Sequence, residues 1–502
     1  MKIFRDPREL ADQLSLFKSK GLKIGLSHGV FDLVHPGHIQ HFTAAKKQVD
    51  VLVVSITADQ FVNKGPGRPI FHEEIRLSTL AALEPVDFVT ISREKTAQNI
   101  LSILQPSVYF KGSDYKTTEQ DPTGMIEIER KTVESFGGEI SFTDEFTSSS
   151  SRLINVLLNP LDHEIQNWVE RFKNQFTIED IENCLEKIGK LNVSLVGEVI
   201  VDQYTMVDAL GKTGKDPILA FHLLDSDAYP GGILAIANNC SSWVNSVQVH
   251  SMVGNKDKLP AEVTEKLNSK IELYLSHYDG PTIRKHRYID VSTKSKVFET
   301  YDFNPELEAS KSQSEFRNQL RKLRSSDLVL IADYGHGLMT SSVVDIATKS
   351  GLHLAVNVQT NAGNRGFNTL SKYPKIDFFT VNSRELQLEL RSKNVNFSSV
   401  VPKLMGDLGA SKAVLTLGAE GILIFDGDFQ IKVPAFATKI VDKVGAGDSV
   451  FAISSLLSFT NCPPAITGLV ANIVAAHEIA KVGHQTPLTL GDIKKQIRSL
   501  LG

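Results

Sequence analysis

Residues 29–38 read Gly-Val-Phe-Asp-Leu-Val-His-Pro-Gly-His, between the apolar run Lys23–Ser27 and a helical pattern at Gly37–Gln48. A helix that starts directly after a strand presents its first backbone N–H groups, and the positive end of its dipole, to an anion. The proline suits the first helical turn, and His35 and His38 are spaced as neighbours on that turn. This stretch therefore predicts a βα unit whose turn binds a phosphate group.

Short β-rich runs and helical patterns continue to alternate after this turn. In order they are Val51–Ile56, His72–Leu83, Val86–Ile91, Ala97–Leu104 and Ser107–Phe110. Such alternation is the βαβ rhythm of a parallel sheet flanked by helices. We therefore predict an α/β class of fold that begins with a Rossmann-like domain over residues 1–155.

A second alternating series begins at residue 191. Its predicted strands are Leu191–Gly197, Val247–Met252, Asp327–Ala332, Leu352–Val356, Ile376–Val381 and Lys412–Leu417. Tyr204–Tyr229 and Arg284–Phe303 have alternating patterns and no long helix, which predicts a small β lid. We predict a doubly wound α/β domain over residues 191–502, joined to the first domain by amphipathic connector helices within residues 156–190.

Composition is that of an ordinary globular protein. The 502 residues include 54 Lys and Arg against 58 Asp and Glu, and this net charge of −4 argues against a nucleic-acid surface. Three widely spaced cysteines favour a reducing compartment. Asp6, Glu9 and Asp12 interrupt the N-terminus, and no apolar run approaches the roughly 20 residues that cross a bilayer. We expect a cytoplasmic protein without nucleic-acid or membrane partners.

The His35 and His38 pair also has the spacing of two metal ligands. Zn²⁺ usually needs a third protein ligand, and neither a cysteine nor a His-Glu-x-x-His pattern lies nearby. We therefore predict no protein metal site at this turn.

A second phosphate-binding pattern lies at residues 442–451, Asp-Lys-Val-Gly-Ala-Gly-Asp-Ser-Val-Phe, at the start of an apolar helical pattern. The small residues Gly445, Ala446 and Gly447 let backbone N–H groups form an anion hole for phosphoryl oxygens. Asp448 would lie near a substrate hydroxyl, and a carboxylate within hydrogen-bond reach of that hydroxyl can act as a general base.

The first motif and the segments after it resemble the cytidylyltransferase-like nucleotidyltransferase superfamily. These segments are Lys46, Gly67-Arg68-Pro69 with Glu74-Ile75-Arg76, Lys111-Gly112-Ser113-Asp114-Tyr115 and Ser149-Ser150-Ser151-Arg152. Members join a substrate phosphate to the α-phosphate of a nucleoside triphosphate and release pyrophosphate. The resemblance implies that His35 and His38 stabilise the transition state. Nucleotide or phosphate contacts are implied for Gly29, Phe31, Lys46, Arg76, Lys111, Ser150 and Ser151. This chain has Val49 where the family usually has glycine.

The second motif belongs to a series that resembles the ribokinase-like (PfkB-type) sugar kinases across nearly all of residues 191–502. The other members of the series are Asp202, Pro230-Gly231-Gly232, Asn382-Ser383-Arg384-Glu385 and Thr416-Leu417-Gly418-Ala419-Glu420-Gly421. The resemblance implies that Asp448 is the general base and that Gly445, Ala446 and Gly447 form the anion hole.

Further roles in the kinase domain are implied by the same resemblance. Mg²⁺ and phosphate would be organised by Asn382 and Glu385, partly through water, and the nucleotide would be bordered by Thr416, Gly418 and Gly421. Sugar hydroxyls would be held by Asp202, Gly231 and Gly232. A phosphate on the acceptor would lie near Lys285 and Arg287.

The pair of domains resembles the bifunctional heptose-phosphate kinase and adenylyltransferase family, with the domain order reversed. The kinase half departs from those enzymes where sugar is recognised, since it has Ala235, Asn357, Gln359 and His336 in place of Asn, Asp, Lys and Lys. A site built to hydrogen-bond a hydroxyl rejects ligands that lack it, so such changes point to a different phosphorylated sugar or polyol.

Three interpretations remain open at this point. Both sites are catalytic and make a nucleotide-activated sugar from a sugar phosphate, using ATP with Mg²⁺ and either ATP or CTP for the transfer. Alternatively, the kinase domain binds ligands without turnover and acts as a regulatory or scaffolding module. In the third, the two domains serve separate pathways. A homo-oligomer is compatible with each of them.

Overall fold

A computed structural model describes residues 2–64, 68–112, 125–143, 163–304, 313–320, 323, 326–364, 366–437, 440–442, 444–480 and 487–501. The chain divides into two compact units, the first formed by Met1–His163 with Gly491–Gly502 and the second by Glu164–Leu490. Two predicted boundaries therefore differ from the structure. The connector helices fall in the second unit, and residues 491–502 return to the first.

The first unit is built on a six-stranded parallel sheet. Its strands are β1 (Ile3–Phe4), β2 (Ile24–Gly29), β3 (Val51–Thr57), β4 (Phe88–Ser92), β5 (Val108–Gly112) and β6 (Glu139–Thr143). Its helices are α1 (Pro7–Lys18), α2 (Pro36–Lys46), α3 (Glu73–Ala81), α4 (Gln98–Leu104) and α5 (Met125–Ser135). The predicted βαβ alternation is confirmed, with boundaries shifted by one or two residues.

Strand order in this sheet is β1-β4-β3-β2-β5-β6. The chain passes from β2 to β3 on one side, and β5 lies on the other side of β2. Ligands of open α/β sheets bind beyond the carboxyl ends of strands where the order reverses. In this unit that position follows β2 and β5, where residues 29–38 and Lys111 lie.

The second unit contains a nine-stranded sheet and a four-stranded sheet. The strands are β7 (Asn192–Gly197), β8 (Val199–Lys212), β9 (Leu219–Gly232), β10 (Ser246–Gly254), β11 (Ile271–Tyr278), β12 (Arg284–Asp290), β13 (Lys296–Asp302), β14 (Leu328–Asp333), β15 (His353–Val358), β16 (Phe378–Asn382), β17 (Lys412–Thr416), β18 (Ile422–Asp426) and β19 (Phe429–Val433). The order β11-β10-β7-β14-β15-β16-β17-β18-β19 is parallel up to β17 and antiparallel from there.

Helices cover the larger sheet of this unit. They are α6 (His163–Lys173), α7 (Ile178–Ile188), α8 (Ile233–Ser241), α9 (Ala261–Glu265), α10 (Gln313–Leu320), α11 (Ser341–Thr348), α12 (Ser383–Glu389), α13 (Phe397–Leu408), α14 (Ala446–Phe459) and α15 (Pro464–Glu478). The final helix α16 (Leu490–Leu501) lies almost wholly in the first unit. None of the helices in the described ranges combines the length and apolar character needed to cross a bilayer.

The four-stranded sheet, with order β13-β12-β8-β9, forms the lid predicted from the alternating stretches. Side chains on β12 alternate between its two faces. Lys285 and Arg287 line a cavity, whereas His286 and Tyr288 stack on the other face with ring centroids 4.2 Å apart. The lid therefore brings cations to the cavity and leaves an aromatic outer face.

Candidate active sites

The β2–α2 turn brings the two motif histidines together. His35 is the extended residue that precedes α2, and its ring lies against that of His38 with centroids 3.9 Å apart. Phe31 has a left-handed φ of 48° and presents its ring edge to His38 at 5.3 Å. A Cβ at Gly29 would come within 3.0 Å of that phenyl ring, so glycine lets the ring pack closely against the backbone there. Both imidazoles thus lie at a helix start, as predicted.

Asp32, within the motif, organises the neighbouring loop. Its carboxylate accepts hydrogen bonds from the backbone N–H groups of Ile70 at 2.8 Å and Phe71 at 3.0 Å. It also pairs with Arg68 Nη1 at 3.1 Å, and both side chains are buried. The carboxylate therefore fixes the loop after β3 beside the β2–α2 turn.

The phosphate-binding role predicted for Arg76 is wrong in this structure. Its side chain is 1% exposed and donates to Val30 O at 2.5 Å, Thr57 O at 2.9 Å, Phe71 O at 2.9 Å and Asp59 Oδ1 at 2.6 Å. With these four hydrogen bonds made inside the protein, the guanidinium positions loops at the sheet edge instead of contacting a ligand.

The role predicted for Lys46 is also corrected. Lys46 ends α2, and a rise of about 1.5 Å per residue places it roughly 12 Å along the helix from His38. Its Nζ lies 2.6 Å from Asp87 Oδ2 and 2.5 Å from Asp50 O, at the amino ends of β3 and β4. The histidines lie at the opposite edge of the sheet.

Lys111, His28 and Lys64 are further titratable residues at the carboxyl edge. Lys111 pairs with Glu129 at 2.8 Å. Burial, followed by the charge of Lys111, lowers the pKa of His28 to about 3, so this imidazole is neutral. Burial also lowers the pKa of Lys64 to about 8. Lys64 and His28 were not predicted, because isolated residues carry no motif. Ser150 and Ser151 lie outside the described residues.

The second site is a cavity of about 270 Å³ in the second unit. Ten of the predicted residues line it: Asp202, Gly232, Lys285, Arg287, Asn382, Glu385, Thr416, Gly445, Gly447 and Asp448. Tyr334, Thr360 and Thr380 also line it and were not predicted, since single hydroxyl residues carry no sequence signal. Gly418 and Gly421 form the turn that follows β17.

Asp448 lies on the first turn of α14 and is 8% exposed. Gly445 precedes the helix with a left-handed φ of 87°, a conformation that favours glycine. Gln359 Nε2 donates to Asp448 Oδ1 at 2.5 Å. The carboxylate is therefore held at a helix start, beside the backbone N–H groups predicted to form the anion hole.

Asn382 and Glu385 cap α12 reciprocally. Glu385 N donates to Asn382 Oδ1 at 2.8 Å, and Asn382 N donates to Glu385 Oε2 at 3.0 Å. Burial, together with the charge of Asp448, raises the pKa of Glu385 to about 7. Two carboxylates in one cavity favour binding of a cation.

An unsatisfied oxygen lies in the same cavity. Asn357 donates from Nδ2 to Thr380 Oγ1 at 2.9 Å, whereas its buried Oδ1 has no hydrogen-bond donor among the described residues. Oxygen ligands of this kind suit Mg²⁺, which keeps several of its waters. Since the described residues hold no cluster of three acidic, His or Cys ligands, such an ion would be bound largely through water and phosphate.

Cations and an acid from the lid close the other end of the cavity. Arg287 Nη1 donates to Asp202 Oδ1 at 2.5 Å, and both side chains are buried. A side chain at Gly231 would lie 2.3 Å from Asp202 Oδ2, so glycine permits this packing. Burial lowers the pKa of Lys285. His336, whose pKa falls to about 4 through burial and the charge of Lys285, is neutral beside it.

Comparison with known families divides the chain as the fold does. Residues 190–489 match the pfkB family of carbohydrate kinases. Residues 26–156 match the cytidylyltransferase-like family.

Curated relatives share part of the chain. "Bifunctional protein HldE" of Bradyrhizobium sp. (strain ORS 278) is 40% identical over 145 residues, and that of Nitrobacter hamburgensis is 39% identical over 145 residues. Each match covers 28% of this chain and 28% of the relative, so the chain spans little more than a quarter of the curated relatives it matches.

Solved kinase structures align with a larger part. Phosphofructokinase-2 from Escherichia coli in complex with substrates and products aligns at 16% identity and a TM-score of 0.47, over 62% of this chain and 99% of the other. Ribokinase from Thermotoga maritima aligns at 19% identity and a TM-score of 0.48, over 61% and 99%.

Proposed function

Because the chain belongs to the pfkB family of carbohydrate kinases and also carries a cytidylyltransferase-like domain, we propose that it is a bifunctional transferase of nucleotide-activated sugar synthesis. The second unit phosphorylates a sugar or sugar phosphate, and the first transfers a nucleotide to a sugar phosphate. The observation that carries this proposal is Asp448 at a glycine-flanked helix start, in a cavity that also holds Asp202 and two lid cations.

In the kinase site, Asp448 accepts the proton of the attacking substrate hydroxyl. Backbone N–H groups at the start of α14 stabilise the negative charge on the transferred phosphoryl group. Asp202 orients sugar hydroxyls, and Lys285 and Arg287 attract a phosphate on the acceptor. Mg²⁺ bound with ATP supplies further charge neutralisation, with Asn357, Asn382 and Glu385 as the residues that would hold its water shell.

In the transferase site, His35 and His38 bind the triphosphate at the start of α2. The substrate phosphate attacks the α-phosphate, and pyrophosphate leaves. Catalysis here consists of positioning the reactants and stabilising negative charge. The nucleotide is ATP or CTP.

A heptose-like sugar phosphate is the favoured substrate class, because the pair of domains resembles the heptose-phosphate kinase and adenylyltransferase family; the "bifunctional" name of the relatives supports two activities in one chain. The local chemistry differs from the expected pattern at Asn357 and Gln359. Because the amide of Gln359 donates to Asp448, it takes the place of a cation beside the base. We propose that this exchange adapts the site to a different acceptor.

Two substitutions test the assignment of activities to sites. Asp448→Asn should lower phosphorylation of sugar phosphates at least about 100-fold, the scale of losing a general base, and leave pyrophosphate release unchanged. His38→Ala should do the reverse. Both rates are measured with ATP and CTP against a panel of sugar phosphates.

A different outcome would favour the second candidate function. Pyrophosphate release without kinase turnover on any acceptor would make the kinase-like unit a regulatory or scaffolding module. The contact between Gln359 and Asp448 is the feature that favours this alternative, since it occupies one oxygen of the base.

Self-association remains a prediction, and the exposed apolar residues Leu219 and Leu223 of the lid offer a surface for it.

A further inference from the structure

Helix α16 is part of the first unit although the whole second unit separates it in sequence from the rest. Asp492 and Gln496, one helical turn apart, both contact Asn63. Asn63 Nδ2 donates to Asp492 Oδ1 at 2.7 Å, and Gln496 donates to Asn63 Oδ1. Because Asn63 follows β3 at its carboxyl end, these contacts fix α16 to the edge of the sheet where the candidate site lies.

Lys495 lies on the turn between those two contacts. Its charge reaches two groups at this edge, His28 on β2 and Lys64 after β3. After burial and Lys111, it is a further cause of the low pKa of His28. After burial, it is the main cause of the lowered pKa of Lys64. Because Asp492 and Gln496 hold the helix against Asn63, the neighbour of Lys64 in sequence, the helix carries a cation to the carboxyl edge of the sheet.

Positive charge predominates at this position. Besides burial, the charges of Lys495, Arg68 and Lys111 lower the pKa of Lys64, and the charge of Asp32 raises it. Arg68 pairs with Asp32, and Lys111 pairs with Glu129. Within the described ranges Lys64 has no ion pair at all. Clustered cations repel one another, and a bound polyanion would offset that repulsion because it attracts each of them.

We propose that α16 forms a wall of the nucleotidyltransferase site and that Lys495, beside Lys64, binds the triphosphate of the incoming nucleotide. This proposal rests on the proposed transferase function. The triphosphate is the favoured anion because its β- and γ-phosphates, which leave as pyrophosphate, together carry more negative charge than the phosphate of the sugar. None of the family motifs in residues 29–151 includes this residue, so the chain supplies it from a distant segment.

Titration calorimetry of the full chain with inorganic pyrophosphate tests the proposal. Lys495→Gln should weaken pyrophosphate binding roughly tenfold to hundredfold, as expected for a lost hydrogen bond to a charged group. Lys495→Arg keeps the charge and should retain most of the affinity. Lys47→Gln removes a lysine at the exposed end of α2 and should bind as wild type. Kinase turnover should be unchanged in all three variants.

A second variant separates ligand binding from simple misfolding. Asn63→Ala removes both contacts to α16 and should weaken pyrophosphate binding in the same direction. Its thermal unfolding, like that of Lys495→Gln, shows whether the variant is folded. If Lys495→Gln lowers stability, the other two variants test the proposal. Retained pyrophosphate affinity in Lys495→Arg with weakened affinity in Asn63→Ala supports it, and any other pattern contradicts it.

The proposal would be overturned if Lys495→Gln bound pyrophosphate as tightly as the wild type. It would also be overturned if this variant lost affinity for the sugar phosphate alone. A different result would contradict the proposed transferase activity. A wild-type chain that binds pyrophosphate through Lys495, yet releases none from ATP or CTP with any sugar phosphate, would retain this binding site and lose that function.

Discussion

Glu385 is the residue whose titration connects kinase chemistry to pH. Its pKa of about 7 lies well above the ordinary value of 4.5, because the carboxyl is buried near Asp448. The folded protein therefore holds an extra proton between about pH 4.5 and 7. The stability that this proton gives is lost as pH rises through that window.

Mg²⁺-dependent binding of ATP should weaken by up to about tenfold as pH falls from 8 to 6, since protonation removes the charge of Glu385. Glu385→Gln should bind weakly at both pH values and lose most of this dependence. Calorimetric titration with Mg·ATP measures the effect. An unchanged slope in Glu385→Gln would assign the titration to another group.

Residue positions were predicted well where backbone geometry fixes them, and the roles of these residues stay predictions. His35, His38 and Asp448 lie at helix starts, and a short motif specifies that position. Lys46 and Arg76 were placed wrongly because their partners, Asp87 and Asp59, are distant in sequence or in loops. Sequence spacing says where a long side chain begins and not where its charged end lies.

At the scale of elements, the hairpin of β8 and β9 determines one end of the kinase cavity. Gly231 pairs with Ile200 and lies directly against the Asp202 carboxylate. That carboxylate in turn holds Arg287. The packing allows no side chain at residue 231.

Gly231→Ala should displace Asp202 and raise the KM for the sugar substrate at least about tenfold, since the buried ion pair loses its geometry. The KM for ATP should change much less. Steady-state kinetics with each substrate varied in turn measures the split. Gly214→Ala, with open space around it, is the matched control and should behave as wild type. Equal KM values in Gly231→Ala and wild type would contradict the proposed role of Asp202.

Strands and helices with strong apolar patterns were predicted to within about two residues. Runs such as Val51–Ile56 are buried on both faces, and hydrophobic burial determines their place. Strands β1, β6, β11, β18 and β19 were not predicted. β1 has two residues, and β6 and β19 are partly exposed, so their sequences give little periodic signal.

At the scale of the whole molecule, the division into units is not colinear with the sequence. Ile493 and Ile497 of α16 are buried, and each buried side chain of this size contributes roughly 1.5–3 kcal/mol. No local pattern distinguishes a helix that ends one unit from a helix that completes another. The sequence analysis therefore extended the second domain to residue 502, whereas the second unit of the structure ends at Leu490.

Deleting residues 491–502 should destabilise the first unit by about 3–6 kcal/mol, an upper value from the two isoleucines alone. Hydrogen exchange measured peptide by peptide should show faster exchange in β2, β3 and β5. Strands β7 and β14 should keep their protection. Ile493→Val, which removes one methylene, provides a mild control. Unaltered exchange in β2 and β3 would place α16 outside the folding unit.

The place of α16 in the first unit also has a consequence for translation of the chain. A ribosome makes the histidine turn early, yet the segment that completes this first unit emerges only after the kinase-like unit has been translated. The first unit therefore spends that interval incomplete, with the surface that Ile493 and Ile497 will cover still open to chaperones. A bulky fusion placed directly after residue 502 would disturb the first unit more than the second unit, which lies beside it in sequence.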